Sequence, residues 1–393
     1  MVQIRCPYCE TVFDTTNGLR CPGCGMEWTQ VQTQLAPQPV QEEYVQPRKT
    51  RPLPWVGPLI GLVVIFVVII LLLYTPLGSY LFHVMSGTPS SATFTVKRSV
   101  SFTSTKTISY EVHLAKPVSG IGQTVRSVSP SSGSTESTIN GTAWYSWVGS
   151  GNTASLGLTV TVHTEEKKWK IADDEAGNES KIPSELKVKY LGVEWKIDPY
   201  AGEIATLSKN ITKNCTNVYE KLEAIYKYIV KNIRYVKGTS GEPNDPITTL
   251  HTGVGDCDDQ SILFCSLSRA AGVPAWLELG ALYVSQEGNW GPHAWVRTYI
   301  PYINGSGVYV NIDTANAMFL ARDALRYTDW VSTGNGDDLR YYYFFFTYSY
   351  TGGKPDVSLH DDISTVSMDI QYGLHTFACD FRKVIFIHAV SRC

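Results

Sequence analysis

Cys257 lies in Gly253-Val254-Gly255-Asp256-Cys257-Asp258-Asp259-Gln260, where a glycine-rich loop runs into the start of a predicted helix. A thiol there is placed for nucleophilic chemistry. Free N–H groups and the positive helix end stabilise a thiolate, and glycines let a substrate backbone approach. Asp256, Asp258 and Asp259 crowd the same turn. Carboxylates suit a helix start, yet they oppose thiolate formation unless they are paired or point away. The same Asp/Cys cluster also admits a metal site, the lesser reading. His293, in Gly291-Pro292-His293-Ala294-Trp295-Val296, heads one apolar run, and Asp313, in Val308-Tyr309-Val310-Asn311-Ile312-Asp313, ends the next. On adjacent antiparallel strands the start of one lies beside the end of the other. Imidazole and carboxylate can then meet over Cys257. Taken singly, each residue reads more simply as a buried cysteine, a strand-edge histidine and a turn aspartate.

The elements that must position these groups are legible in the hydrophobic period. Val218, Leu222, Ile225, Ile229 and Ile233 recur at steps of four and three, one face of a helix. Asn217 with Glu220 resembles a capping box in front of it. A second helix is predicted from just after Cys257 to Ala271, ended by Gly272 and Pro274, and its apolar residues lie nearly all round, which predicts burial. Strand-like runs follow at 275–284, 294–300 and 308–312.

The ordered set G-D-C-D-D, then H-A-W-V on a strand, then I-D-T after the next strand, resembles the transglutaminase-like superfamily, especially its archaeal and bacterial members. The helix ending in Tyr235 and the run LFCSLSRAAGVP at 263–274 resemble it too, so the likeness covers roughly residues 200–320. That resemblance implies a papain-like α+β fold with a helix packed on an antiparallel sheet. It makes Cys257 the nucleophile, His293 the general base and acid, and Asp313 the residue that orients the imidazole. The implied reaction passes through a thioester, resolved by water in hydrolysis or by an amine in transamidation, and the resemblance leaves both open.

The rest of the 393 residues reads as a membrane anchor with appendages. Cys6-Pro-Tyr-Cys9 and Cys21-Pro-Gly-Cys24 are doubled C-x-x-C knuckles, the tetrahedral thiolate set that Zn²⁺ prefers, so residues 1–29 are expected to form a structural zinc ribbon. Gln/Pro-rich residues 30–54 are a flexible linker by composition. No Asp, Glu, Lys or Arg occurs between Arg51 and Lys97, and residues 55–74 (WVGPLIGLVVIFVVIILLLY) have the length of a membrane-crossing helix. Arg48, Lys49 and Arg51 flank only its N-terminal end, which predicts a cytoplasmic N-terminus and a C-terminal portion outside the cell membrane. All five N-x-[ST] sequons, at Asn140, Asn178, Asn210, Asn214 and Asn304, lie on that outer side. Residues 86–197 alternate with period two and read as a sandwich-like β-rich module. Residues 198–334 then form the catalytic domain, and 335–393 form a β-like extension whose aromatic run 341–350 reads as strand core. Cys215, Cys265, Cys379 and Cys393 could pair as disulfides outside, in any of three ways.

A net charge of −3 gives no basic field for nucleic acid, so none is expected as a partner. Two functions follow. One is a membrane-anchored thiol enzyme acting outside on peptide or protein amides, with no cofactor in its chemistry. The other is a non-enzymatic envelope protein that uses the same fold for binding, its ribbon contacting cytoplasmic proteins.

Overall fold

The computed structural model describes residues 3–5, 11–14, 21–23, 88–139, 141–238, 241–284, 289–342 and 346–371. The chain divides into two compact units, Met1–Leu73 and Tyr74–Cys393.

In the first unit β1 (Gln3–Arg5) and β2 (Val12–Asp14) pair antiparallel, Ile4 opposite Phe13, and so bracket the first knuckle. Cys21 is buried. Cys6, Cys9 and Cys24 lie outside the described residues, as do the linker and residues 55–74. Among the described residues no helix is long and apolar enough to cross a membrane.

In the second unit β3 (Thr88–Ala115), β4 (Gln123–Pro130), β5 (Thr135–Ile139) and β6 (Thr142–Glu165) build a β-rich part. The expectation of two stacked sheets is replaced by one antiparallel sheet. β3 and β6 are 28 and 24 residues long, and they pair along most of that length, with a register break between Thr103 and Ile108. Each therefore serves both ends of the sheet and collects different partners at each end. Phe94, Val96, Val100 and Phe102 alternate onto one buried face and pack with Leu158, Val160 and Val162.

The strands stop at β7 (Lys167–Lys168), well short of residue 197. Beyond it Ile182, Ile197 and two residues of α1 (Ser184–Tyr190), Leu186 and Tyr190, join a separate helix-and-sheet core. That core is built on α2 (Gly202–Thr212), α3 (Val218–Asn232), β8 (Arg234–Tyr235), α4 (Pro246–Thr252), β9 (Val254–Gly255) and α5 (Cys257–Ala270). The stripe on α3 is buried as its period requires, with Val218, Leu222, Ile225 and Ile229 inaccessible. The Asn217 side chain accepts from Glu220 N–H at 2.8 Å, and the Glu220 carboxylate reaches back over the helix start to Thr216 and the Asn217 backbone. α5 is buried from Asp259 to Arg269, each of Ile262, Leu263, Phe264 and Leu267 contributing about 1.5–3 kcal/mol by burial.

α5 lies against a five-stranded antiparallel sheet. Its strands are β10 (Ala275–Val284), β11 (Asn289–Pro301), β12 (Gly307–Asp313), β13 (Met318–Phe319) and, after the short β14 (Ala321–Arg322), β15 (Arg326–Val331), in the order β13-β12-β11-β10-β15. After α6 (Gly336–Tyr342) the chain returns to the first sheet: β16 (Phe346–Thr351) and β17 (Asp356–Gln371) both pair with β3. The described part of the aromatic run is thus an edge strand, not core. Tyr348 and Tyr350 stay 41 % and 40 % exposed, because only one side of β16 is paired.

Candidate functional site

Cys257 is the first residue of α5, and the turn before it explains how three carboxylates are tolerated there. Asp256 caps the helix: its side chain accepts from Asp259 N–H at 3.4 Å, and Asp259 accepts in return from Asp256 N–H at 3.3 Å, a complete capping box. Asp259 also accepts from Asn244, through its backbone N–H at 2.7 Å and its amide at 2.9 Å, and Asp256 from Gly238 N–H at 3.1 Å. Burial first, then the hydrogen bond and like charge of Asp258 and the charge of Asp259, push the Asp256 carboxyl up to about 8. Burial and like charge thus favour the protonated form of Asp256, which lowers the negative charge of the turn. The ligand atoms of Asp256, Cys257 and Asp258 lie within 4.8 Å of one another, but both Asp256 carboxyl oxygens already accept an N–H, from Asp259 and from Gly238.

The glycines also meet demands of the backbone. Gly253 sits at φ 63° and ends α4 in the left-handed region, and a Cβ on Gly255 would lie 2.8 Å from Asp259 Cβ. Parallel pairing of Tyr235 with Gly255 places β8 beside this turn. The Ser261 hydroxyl donates to Cys257 O at 2.6 Å and reaches Ala294 O at 3.4 Å, which ties the first turn of α5 to β11.

Register brings the other two groups together. Val296 on β11 pairs with Ile312 on β12, so His293 and Asp313 stand at the same end of adjacent strands. His293 Nε2 and Asp313 Oδ2 are 2.7 Å apart, with both side chains buried. An ionised carboxylate only accepts, so Nε2 carries the proton that it donates. Nδ1 is the nitrogen left for Cys257, whose sulfur acts on the imidazole by charge and hydrogen bonding. Burial alone would lower the His293 pKa; Asp313 and then Cys257 outweigh it and raise it to about 9. For Asp313, burial pulls upward, but the imidazolium and then Arg326 hold it far below the ordinary carboxylate range. The structure thus collects all three residues singled out from the sequence, with an imidazolium favoured beside the thiol.

Two further residues of this constellation escaped the sequence reading. The Asn316 amide donates to Asp313 Oδ2 at 2.8 Å and its backbone N–H to Oδ1 at 3.1 Å. Its position three residues after an aspartate is an ordinary turn signal, from which the contact could have been guessed. Arg326 Nη2 lies 2.7 Å from Asp313 Oδ2, reached from β15, and nothing local in the sequence marks it. Behind His293, the Trp295 ring stacks at 5.8 Å and carries the Arg326 and Arg322 guanidinium groups 4.8 and 5.3 Å from its centre. Its indole N–H donates to Glu278 at 2.7 Å; burial would raise the Glu278 pKa, but Arg297 and Arg322 hold it down.

The remaining cysteines are poor candidates. Cys265 is a buried thiol pushed up to about 12 by burial, and Cys215 is raised by burial and nearby carboxylates. Neither is in a disulfide, which removes a Cys215–Cys265 pairing; Cys379 and Cys393 lie outside the described residues.

Residues 205–314, which hold Cys257, His293 and Asp313, match the family model of the Transglutaminase-like superfamily. Among solved structures, a candidate cysteine protease from Cytophaga hutchinsonii is similar at 17% identity and a TM-score of 0.54, with 72% of this chain and 93% of that one covered. The periplasmic domain of TgpA from Pseudomonas aeruginosa aligns at 13% identity and a TM-score of 0.31, covering 58% of this chain and 88% of that one. At 17% identity the likeness to the Cytophaga protein is one of fold. No curated protein matches the chain.

Proposed function

We propose, from the match of residues 205–314 to the family model of the Transglutaminase-like superfamily, that the chain is a thiol enzyme that cleaves or transfers peptide or protein amide bonds through Cys257, His293 and Asp313. One observation carries the reading: the 2.7 Å bond from buried His293 Nε2 to Asp313, which leaves Nδ1 for the cysteine at the head of α5. In this mechanism the Cys257 thiolate attacks the amide carbonyl carbon. N–H groups of the first turn of α5 stabilise the oxyanion. The imidazolium proton at Nδ1 passes to the departing amine as the C–N bond breaks and a thioester forms. Water or an acceptor amine, deprotonated by neutral His293, attacks the thioester and releases the acid or the new amide. Asp313 stays ionised throughout and orients the ring. Side chains and backbone N–H groups of the chain fill all of these roles.

The anchor belongs to the same proposal. Residues 55–74 cross the cell membrane once, residues 1–54 face the cytoplasm, and the thiol domain works outside. Zn²⁺ on Cys6, Cys9, Cys21 and Cys24 folds the ribbon, which is available to a cytoplasmic protein. What supports this is the uncharged span, the one-sided basic flank and the doubled knuckles.

The experiment is single-turnover thioester formation by the full chain in detergent with activated amide substrates. Cys257→Ala and His293→Ala should each abolish acylation, and the double variant should be little worse than either, because the groups act as a unit. Undiminished acylation in folded Cys257→Ala would end the proposal. No acylation by the unmodified chain over a broad panel of amides would favour a binding role for the fold.

A further inference from the structure

Asp313 is held by more than the imidazole it orients. Its Oδ2 takes His293 Nε2 at 2.7 Å, Arg326 Nη2 at 2.7 Å and the Asn316 amide at 2.8 Å, and its Oδ1 takes Asn316 N–H at 3.1 Å. The two extra residues come from different places. Asn316 is half-buried, in the turn after β12, whereas Arg326 is fully buried at the start of β15. Arg326 has a second carboxylate, Asp323 Oδ2, at 3.1 Å, and its plane lies over Trp295, the ring that also backs His293. Its Nε and Nη1 have no hydrogen-bond partner. A buried guanidinium with unsatisfied N–H groups is a poor way to gain stability. Of its two carboxylate partners Asp313 is the nearer, an ion pair at 2.7 Å against 3.1 Å for Asp323.

We propose that Arg326 and Asn316 are positioning residues of the thiol centre, fixing the Asp313 carboxylate from two sides so that it holds the His293 ring with Nδ1 on Cys257, while the Arg326 charge moderates the pull of that carboxylate on the imidazole proton. This rests on the thiol-enzyme reading for its purpose, though not for its test. Two lone pairs of a carboxylate with a single partner leave it free to turn about its Cβ–Cγ bond; two further donors remove that freedom. The second effect is one of charge. The imidazolium and the guanidinium share one oxygen, so each weakens the hold of Asp313 on the other. The charged and titratable groups around this centre are Cys257 with Asp256 and Asp258 beside it at the head of α5, Asp313 with Asn316 beyond β12, Arg326 from β15 with Asp323 paired to it, Arg322 of β14 over the same Trp295 ring, and Tyr226 from α3, whose phenol is pushed up to about 12 by burial and then by Asp313. Of these, Arg326 is the cation in contact with Asp313.

The test reads Cys257 directly and needs no substrate. The full chain is alkylated with iodoacetamide across pH 5–11, and the rate at Cys257 is followed by peptide mass spectrometry. The profile should have a lower step, where the thiolate–imidazolium pair forms, and an upper step, where the imidazolium loses its proton. Arg326→Met should move the upper step upward by roughly one to two pH units, since a cation near the imidazolium is gone. Arg326→Lys, which keeps the charge, should leave it near its original place. Asn316→Ala changes no charge; it should slow alkylation at pH 6 by about three- to tenfold without raising the upper step, as the ring is held less well. If Arg326→Met does not fold, the lysine and Asn316 variants carry the test. Unchanged profiles in folded Arg326→Met and Asn316→Ala, or an upper step that rises as far in Arg326→Lys as in Arg326→Met, would overturn the proposal. Shifted profiles in a chain that never forms a thioester would leave the positioning intact and overturn the enzyme reading alone.

Discussion

Replacing Asp313 by Asn removes a charge and almost no volume, so its consequences can be worked from the geometry. In the folded chain His293 titrates at about 9 against an ordinary value of 6.5, with burial acting the other way and Asp313 the largest upward influence. An uplift of that size corresponds to up to about 3 kcal/mol favouring the imidazolium. Without the carboxylate, burial should take the ring below its ordinary value. The population of the thiolate–imidazolium pair near neutral pH should then fall by a factor on the order of 10² to 10³. Stability should follow with a definite sign. A group whose folded pKa is raised stabilises fully below its unfolded pKa, and that contribution disappears as pH rises through the folded value. Asp313→Asn should therefore lose up to about 3 kcal/mol more stability at pH 6 than at pH 9.5. A second loss, of about 3–5 kcal/mol, comes from leaving Arg326 buried without this carboxylate and should be the same at both pH values. Denaturant unfolding at the two pH values, with the Cys257 alkylation rate at pH 6, measures each part. Equal destabilisation at both pH values, together with an unchanged alkylation rate, would refute the reasoning.

Gly280→Ala should destabilise by about 1–3 kcal/mol in a denaturant titration, because a Cβ there collides with the Tyr327 carbonyl on β15 and neither backbone can yield cheaply. Breaking the buried Arg269–Glu194 pair (2.6 Å) by Arg269→Met should cost about 3–5 kcal/mol, read in the same way, since Glu194 is left charged and enclosed. Metal analysis of residues 1–29 should give one zinc per chain, lost with unfolding in Cys9→Ser; a folded, metal-free segment would exclude the ribbon. In intact cells an impermeant thiol reagent should label a single cysteine placed at position 198 but not one at position 50, and the opposite pattern would mean a reversed orientation.

The sequence determined the elements and singled out the three residues that the structure brings together. The period of α3, the all-round apolarity of α5 and the three strand-like runs after it are local patterns, and hydrophobic burial enforces local patterns directly. Cys257, His293 and Asp313 were legible because each sits at the end of a predictable element, and strand pairing leaves few places where such ends can meet. The tertiary structure decided what surrounds them. Arg326 reaches Asp313 because β15 pairs with β10 at the far edge of the sheet, and no spacing between residues 313 and 326 encodes that. The capping box that disposes of the acidic turn needed Asn244 and Gly238, brought from before α4 and from after β8. The β-rich part became one sheet because β3 and β6 pair almost end to end and draw β16 and β17 back from residues 346–371. Alternation in a strand reports which side is buried; it says nothing of which strand lies beside it, since partner choice belongs to contacts far apart in the chain.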